Sequence, residues 1–257
     1  MGLKSLPIRA NRARAAAVCA RQAEQPRPVA APASVAEKKA TVSLFVAPTD
    51  APFSTSPPPR EQKIRLLKEM DEKEVKICTK CVLGKTRTQT VFGEGDPDGQ
   101  LMFIGEGPGE SEDLSGRPFV GRAGQKLDDM IRAMGLQREQ VYIANIVKCR
   151  PPENRVPVPD EVETCTPYLL RQIEIVRPKV IVTLGLPATK YLTKSNLTMG
   201  RMRGQWQMWR GIKVMPTYHP SYILRTYTPE VRKAVWSDLQ KVMAELGLKL
   251  PAKKNAP

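Results

Sequence analysis

Short apolar segments alternate with segments of helical periodicity along most of this chain, and this alternation constrains its fold more than any other feature. Four segments have the length and apolar content of buried strands: Leu101–Gly105, Val141–Val147, Lys179–Leu184 and Lys213–Tyr218. Strands that are separated by helices pair in parallel, and the helices cover both faces of the sheet. We therefore predict an α/β fold, a three-layer α/β/α sandwich with a central, mostly parallel four-stranded sheet.

Several helices and one hairpin are also predicted from local patterns. Ile64, Leu67 and Met70 fit one face of a short amphipathic helix. Asp160 is placed to cap a helix that runs to about Val176. Residues 206–214, broken by an Arg-Gly pair, have the pattern of a β-hairpin that leads into the last strand.

The composition changes near residue 60 and again near residue 250. Residues 1–60 contain nine of the 24 prolines and nine Lys or Arg residues, but only three acidic residues. Such a segment cannot bury enough apolar surface to offset its ordering entropy, so we predict a disordered basic tail. One globular domain follows over residues 61–250, and residues 251–257 form a disordered end. The first 23 residues lack acid, as organelle transit peptides do, but we favour the basic tail.

Charge and cysteine content limit the partners and the compartment. The formal net charge is +15, which favours an acidic partner, with nucleic acid first and an anionic membrane second. No run of 18 apolar residues is present, so we expect no membrane span. Five cysteines with a single CxxC do not resemble a secreted disulfide framework. We expect a reducing, cytoplasmic location, at the nucleoid in a bacterium.

The loop after the first predicted strand is rich in glycine and carboxylates, reading GEGPGESED over residues 105–113. A dinucleotide fingerprint does not fit, because Glu110 occupies the third glycine position and Pro108 lacks a phosphate-binding N–H. Four carboxylates would repel a phosphate and are better suited to activating water or recognising a base. An acidic surface turn is the other interpretation.

Two further candidates lie in loops near predicted strand ends. Phe119 stands in GRPFVGRAG, where an aromatic ring can stack on a nucleobase or fill the core. His219 is the only histidine and lies in YHPS after the last predicted strand. It can serve acid–base chemistry, donate to a developing anion or be structural. Ligands of parallel sheets bind beyond the carboxyl ends of the strands, so one shared site is expected.

Four of the cysteines have the spacing of a metal site. Cys78 and Cys81 form the CxxC, Cys149 follows the second predicted strand, and Cys165 comes later. Zinc and a [4Fe–4S] cluster both satisfy this ligand set, and the spacing does not decide between them. Two unrelated pairs of buried cysteines are a further alternative. Cys19 is left in the tail.

Taken in order, these motifs resemble the family 4 uracil-DNA glycosylases, the iron–sulfur branch of their superfamily. The resemblance covers about residues 61–247 and rests on the CxxC, on GEGPGESED with GRPFVGRAG, on NIVKCRPPENR and on HPS. It implies an enzyme that flips uracil out of single- or double-stranded DNA and hydrolyses its N-glycosidic bond, which starts base excision repair. We expect a monomer.

The same resemblance implies a [4Fe–4S] cofactor and a role for each matched residue. The implied cluster ligands are Cys78, Cys81, Cys149 and Cys165. Phe119 would stack on the flipped uracil, Asn145 would read its edge, and His219 would hydrogen-bond one of its carbonyls.

The glycine-rich loop carries the other implied roles. Glu106 and the backbone of Gly107 would border the scissile bond and the attacking water, with Glu112 nearby. Another branch of the superfamily has a catalytic aspartate in this loop. Here Gly107 and Pro108 occupy that region, so the identity of a general base stays open.

Three alternatives are kept. The first is a related glycosylase that acts on another deaminated base or joins covalently to DNA through a histidine in an inserted basic loop. Lys148 is followed immediately by Cys149, with no inserted loop, and His219 is the only histidine. Both facts argue against the covalent form. The second is a catalytically silent iron–sulfur DNA-binding module. The third is an electron-transfer protein, against which the lack of a second cofactor motif argues.

Overall fold

The computed structural model describes Phe53 and residues 56–249. The residues of the predicted tail before Phe53 and the predicted end over 251–257 lie outside this part, so both remain predictions. Phe53 packs edge-on against Trp209, with ring centroids 6.1 Å apart.

Six strands form one mixed sheet. Their bounds are β1 (Glu94–Gly95), β2 (Leu101–Gly105), β3 (Tyr142–Asn145), β4 (Val180–Leu184), β5 (Gln207–Trp209) and β6 (Ile212–Thr217). The spatial order is β1-β3-β2-β4-β6-β5. The four central strands are parallel and match the four predicted ones, whereas β1 and β5 pair antiparallel at the edges.

The predicted strand count of four was therefore too low by two edge strands. The predicted hairpin is present as β5 and β6, and its first strand extends the sheet. β1 has only two residues, Glu94 and Gly95, which give no apolar alternation to detect. Its pairing with Tyr142 and Ile143 is a tertiary contact that local sequence does not encode.

Eight α-helices surround the sheet in the described residues. Their bounds are α1 (Arg60–Met70), α2 (Glu110–Ser115), α3 (Arg122–Ala133), α4 (Pro159–Val176), α5 (Leu186–Thr193), α6 (Met199–Met202), α7 (Pro220–Arg225) and α8 (Pro229–Glu245). Short turns of other helix types lie at Asp71–Val75, Val82–Lys85, Arg138–Gln140 and Pro152–Asn154. Among the residues described, no helix is long and apolar enough to cross a membrane.

Two hydrophobic cores, one on each face of the sheet, make the three predicted layers. Alternate side chains of β2 point to opposite faces, as a pleated strand requires: Met102 and Ile104 join the core under α1, α4 and α5. Leu101 and Phe103 join the core under α3, α7 and α8. The predicted α/β/α sandwich is thus confirmed.

Two local predictions about helices were wrong in detail. Ile64 of α1 is exposed, and Lys63 is buried instead because its ammonium donates to the carbonyl of Val176 at 2.9 Å. Helix α4 begins at Pro159 with Val158 as its N-cap, two residues earlier than a cap at Asp160 would give. Proline fits the first helical position, where its fixed φ suits the helix and no N–H is needed.

Candidate active site and cysteine site

A cavity of about 870 Å³ opens beyond the carboxyl ends of the parallel strands. All six residues that the family resemblance implied for catalysis and substrate binding line it: Glu106, Gly107, Glu112, Phe119, Asn145 and His219. β2 leads into Glu106, β3 ends at Asn145, and β6 leads to His219. The strand ends bring distant segments together because their carboxyl ends share one edge of the sheet.

Asn145 lies at the bottom of this cavity with an unused acceptor. Its side chain is buried, and Oδ1 has no hydrogen-bond partner among the described residues. An unpaired buried acceptor costs about 1–3 kcal/mol, so a donor from a ligand is expected to fill it. A Cβ on Gly105 would lie 2.4 Å from Oδ1 and 2.5 Å from Cζ of Phe119. Glycine at this position therefore allows the amide and the ring to meet.

Phe119 forms one wall of the cavity in an unusual backbone conformation. Its φ is 51°, in the left-handed region that residues with a Cβ seldom adopt. The ring is 5% exposed and faces the imidazole of His219, with centroids 5.7 Å apart and planes at 34°. Both residues line the cavity.

Glu112 holds the Phe119 loop against the loop after β2. One carboxylate oxygen accepts from the backbone N–H groups of Val120 and Gly121, both at 2.8 Å. The other oxygen accepts from the N–H of Gly109 at 3.1 Å. These contacts to backbone amides occupy both oxygens of the carboxylate.

His219 has a defined tautomer. Nδ1 accepts from the backbone N–H of Ser221 at 3.1 Å and lies 2.8 Å from its hydroxyl oxygen. A backbone N–H can only donate, so Nδ1 carries no proton and the proton lies on Nε2. Burial lowers the pKa of His219 to about 4; nearby Arg225 adds to this, and Glu112 opposes it. The imidazole is therefore neutral at physiological pH and presents an Nε2–H donor.

Glu106 and Gly107 lie where the first loop crosses the cavity. Burial raises the pKa of the half-buried Glu106 carboxyl above its usual value. The Glu106 carbonyl accepts from the N–H of Val147 at 3.2 Å, which fixes the start of the loop. A Cβ on Gly107 would lie 2.8 Å from a methyl group of Val147, so glycine allows this close packing.

Sequence reasoning missed several residues of the site. Ser221 lies in the HPS motif but was given no role. Pro220, at the first position of α7, could have indicated one, because a proline there places the N–H of Ser221 at the helix start. Arg225 and the start of α6 at Met199 also line the cavity. No sequence pattern pointed to these two.

The four predicted cysteine ligands lie together in the structure. Cys78, Cys81, Cys149 and Cys165 line one small cavity, together with Arg87, and all four thiols are free. Among the described residues, no three Cys, His, Asp or Glu side chains form a group suited to a single metal ion.

Two donors contact these sulfurs. Arg87 donates to Sγ of Cys149 at 3.2 Å and to the carbonyl of Cys78 at 2.7 Å. The N–H of Lys148 donates to Sγ of Cys165 at 3.2 Å. The buried ammonium of Lys148 donates to the carbonyl of Asn145 at 2.9 Å, which connects the cysteine site to the base of the larger cavity.

Comparison with known proteins gives a family match. The model of the uracil DNA glycosylase superfamily matches residues 92–240. A type-4 uracil-DNA glycosylase from Thermotoga maritima is 49% identical over 177 residues, covering 68% of this chain and 92% of that protein. One from Saccharolobus solfataricus is 49% identical over 185 residues, covering 68% and 85%.

A third relative gives the same result. A type-4 uracil-DNA glycosylase from Archaeoglobus fulgidus is 43% identical over 187 residues, which is 70% of this chain and 93% of that protein. The match thus extends over nearly the whole length of the relative. The superfamily match includes the loops that carry Glu106, Phe119, Asn145 and His219. This chain belongs to the uracil-DNA glycosylase superfamily, in its type-4 family.

Proposed function

We propose that this protein hydrolyses the N-glycosidic bond of uracil in DNA and so initiates base excision repair. One observation carries the proposal: the unpaired buried amide oxygen of Asn145 lies in the same cavity as the rings of Phe119 and His219. Family membership and the type-4 relatives support it. Because a base inside a duplex cannot reach such a cavity, the nucleotide has to be flipped out.

In this proposal Asn145 and Phe119 hold the uracil. Oδ1 of Asn145 accepts from N3–H of the base, and the amide NH₂ donates to a neighbouring carbonyl. Cytosine has an unprotonated N3, which cannot donate to Oδ1, and an amino group, which cannot accept from the amide NH₂. Its hydrogen-bonding edge therefore matches Asn145 only in part. The Phe119 ring stacks on the base, an interaction worth about 1–3 kcal/mol per base.

His219 stabilises the departing base. Cleavage of the glycosidic bond leaves negative charge on uracil, which is shared with its carbonyl oxygens. The neutral imidazole donates from Nε2 to one of these oxygens, and its partner Ser221 keeps the proton on that nitrogen. A fixed donor aimed at developing charge in a water-poor cavity typically accelerates a reaction 10²–10³-fold.

The two glutamates have different tasks. Glu106 lies in the cavity with a raised pKa, and its charged form orients the attacking water and stabilises positive charge on the sugar. Glu112 was predicted among the catalytic residues. Its three bonds to backbone N–H groups support a positioning role, in which it fixes the Phe119 loop.

We further propose that the four cysteines hold a [4Fe–4S] cluster. Four cysteines lining one cavity would supply the complete ligand set of such a cluster. Zinc accepts the same four ligands, so metal analysis of the purified protein distinguishes it from a cluster. The guanidinium of Arg87 donates to Sγ of Cys149, and the backbone N–H of Lys148 donates to Sγ of Cys165. When bound, the cluster cross-links these segments, and glycosidic hydrolysis needs no redox step from it.

Uracil-containing DNA, single- or double-stranded, is the proposed partner. The net charge of +15 suits binding to phosphates. The cavity is larger than one base, and Arg155 and Arg225 lie in its lining, where they can meet the flanking backbone. The monomeric state and the cytoplasmic location remain predictions.

Release of uracil from a synthetic oligonucleotide tests the proposal. The full chain is incubated with strands that contain uracil, hypoxanthine, xanthine or thymine at one position, and abasic sites are detected by alkaline cleavage. Uracil release is expected, and Asn145→Ala serves as the matched inactive control. Release of another base without uracil would favour the related glycosylase. A stable protein–DNA adduct on a denaturing gel would favour the covalent form, and binding without release would favour the silent module.

A further inference from the structure

We propose that Arg138 is a positioning residue for uracil binding, which acts by holding the backbone on either side of Phe119 so that the ring faces the base. The inference rests on the stacking role proposed above for Phe119. Arg138 lies outside the cavity lining, so any effect on the reaction passes through its contacts.

Arg138 donates to two successive carbonyl groups of the Phe119 loop. Its Nη1 donates to the carbonyl of Phe119 at 3.2 Å, and its Nη2 donates to the carbonyl of Pro118. The side chain is 15% exposed, which shields these bonds from competition by water. A planar guanidinium reaches both oxygens at once, which a lysine ammonium on a flexible stem does less well.

Two carboxylates fix the direction of this guanidinium. Asp128 of α3 accepts from Nη1 at 2.7 Å, and Glu94 of β1 accepts from Nε at 3.0 Å. Arg117 also donates to Glu94, from Nε at 2.8 Å. Burial raises the pKa of Glu94, but the hydrogen bonds from Arg117 and Arg138 outweigh it and leave the pKa below its usual value. Glu94 therefore stays charged and keeps Arg138 aimed at the loop.

The loop needs such a restraint because Phe119 has a left-handed backbone, at φ 51°. This conformation is disfavoured for a residue with a Cβ and persists only where the surroundings enforce it. Arg138 binds the carbonyl groups before and at the strained residue, while Glu112 binds the N–H groups of Val120 and Gly121 after it. The peptides around Phe119 are thus held from both sides by groups of opposite charge.

Helix α3 packs closely against the backbone of the Phe119 loop. A Cβ on Gly124 would lie 1.9 Å from the carbonyl oxygen of Phe119, so that position requires glycine. The backbone of Gly124 thus packs directly against the carbonyl that accepts from Arg138. Without the guanidinium, the carbonyl loses its charged donor and the loop can relax toward an ordinary backbone, which turns the ring away from the base.

Single-turnover cleavage of a uracil-containing single strand at saturating enzyme tests the inference. Arg138→Met is expected to slow the chemical step about tenfold, within the range set by the usual energy of a strained backbone conformation. Arg138→Lys, which keeps the charge, should recover part of the loss. Arg132→Met is the matched control: it removes an exposed arginine of α3 that pairs with Asp129 and contacts neither Glu94 nor a carbonyl of the Phe119 loop, and it should stay within about twofold of wild type.

A double-mutant cycle separates positioning from general loss of structure. If Arg138 acts through Phe119, Arg138→Met should add no further loss in the Phe119→Leu background, whereas independent effects multiply. A normal rate for Arg138→Met beside a slow Phe119→Leu would overturn the inference and leave the stacking proposal intact. A normal rate for Phe119→Leu would overturn both.

A second variant covers the case in which Arg138→Met does not fold. Glu94→Gln keeps the shape of the side chain but removes the charge that orients Arg138. It should give a smaller loss in the same step, and again no further loss when combined with Phe119→Leu. Losses that multiply with Phe119→Leu would overturn the inference.

Discussion

Replacing His219 by alanine tests the central chemical proposal, which is that a neutral imidazole stabilises the departing uracil. With a pKa of about 4, roughly one imidazole in a thousand is charged at pH 7. The neutral ring, with its proton on Nε2, is therefore the form that meets the substrate. Loss of one such donor costs about 2.7–4 kcal/mol of transition-state stabilisation, so His219→Ala should slow the chemical step about 10²–10³-fold.

The pH dependence of this loss distinguishes a neutral donor from a charged one. A neutral donor is fully formed from about pH 5 upward, so the ratio of wild-type to His219→Ala rates should be constant between pH 5 and pH 8. If the charged imidazolium were required, its population would fall about tenfold with each pH unit above the pKa, and the ratio would fall with it. The two mechanisms thus predict different slopes.

The assay is single-turnover cleavage of a single-stranded oligonucleotide with one uracil, which removes base-pair opening from the measured rate. Enzyme in excess over substrate separates the chemical step from DNA binding. Ser221→Ala is a useful companion: it keeps the backbone N–H that fixes the tautomer and removes only the hydroxyl, so its loss should be much smaller. Near wild-type rates for His219→Ala would refute leaving-group stabilisation and leave this histidine a structural role.

Three further outcomes are expected. Asn145→Asp should lose uracil release, because each mispaired buried group costs about 1–3 kcal/mol; full activity would show that the base edge is read elsewhere. Glu106→Gln should remove the acidic limb of the pH–rate profile, because the rate falls as pH drops through the raised pKa of Glu106 and protonates it. Cys78→Ala should lower bound iron and the thermal midpoint, whereas Cys19→Ala should change neither; zinc without iron in the wild-type protein would reject the cluster.

Much of the fold followed from local patterns along the sequence. The four parallel strands are short apolar runs, and a run that is buried on both faces is visible in the sequence itself. Loops placed at their carboxyl ends were expected to share one site, and the structure places Glu106, Asn145 and His219 in one cavity. The edge strand β1 escaped detection because two residues carry no periodicity.

The roles within the site depended on contacts between segments far apart in the chain. The motif around Glu112 marked it as a carboxylate of the site, but only the structure showed it bound to the N–H groups of Val120 and Gly121. Arg87 approaches Cys149, 62 residues away, and nothing in its local sequence indicates a thiol partner.

The sequence by itself determined the layers of the fold, the approximate positions of the central strands and the residue types available at the site. The tertiary structure decided which of those residues face the cavity and which support them. Arg138 shows the difference most clearly: it stands in an ordinary polar turn and reaches Glu94, 44 residues away, and the Phe119 carbonyl. Periodicity reports which face of an element is buried, whereas the partner of a buried charge is fixed only when the chain brings distant groups within hydrogen-bonding distance.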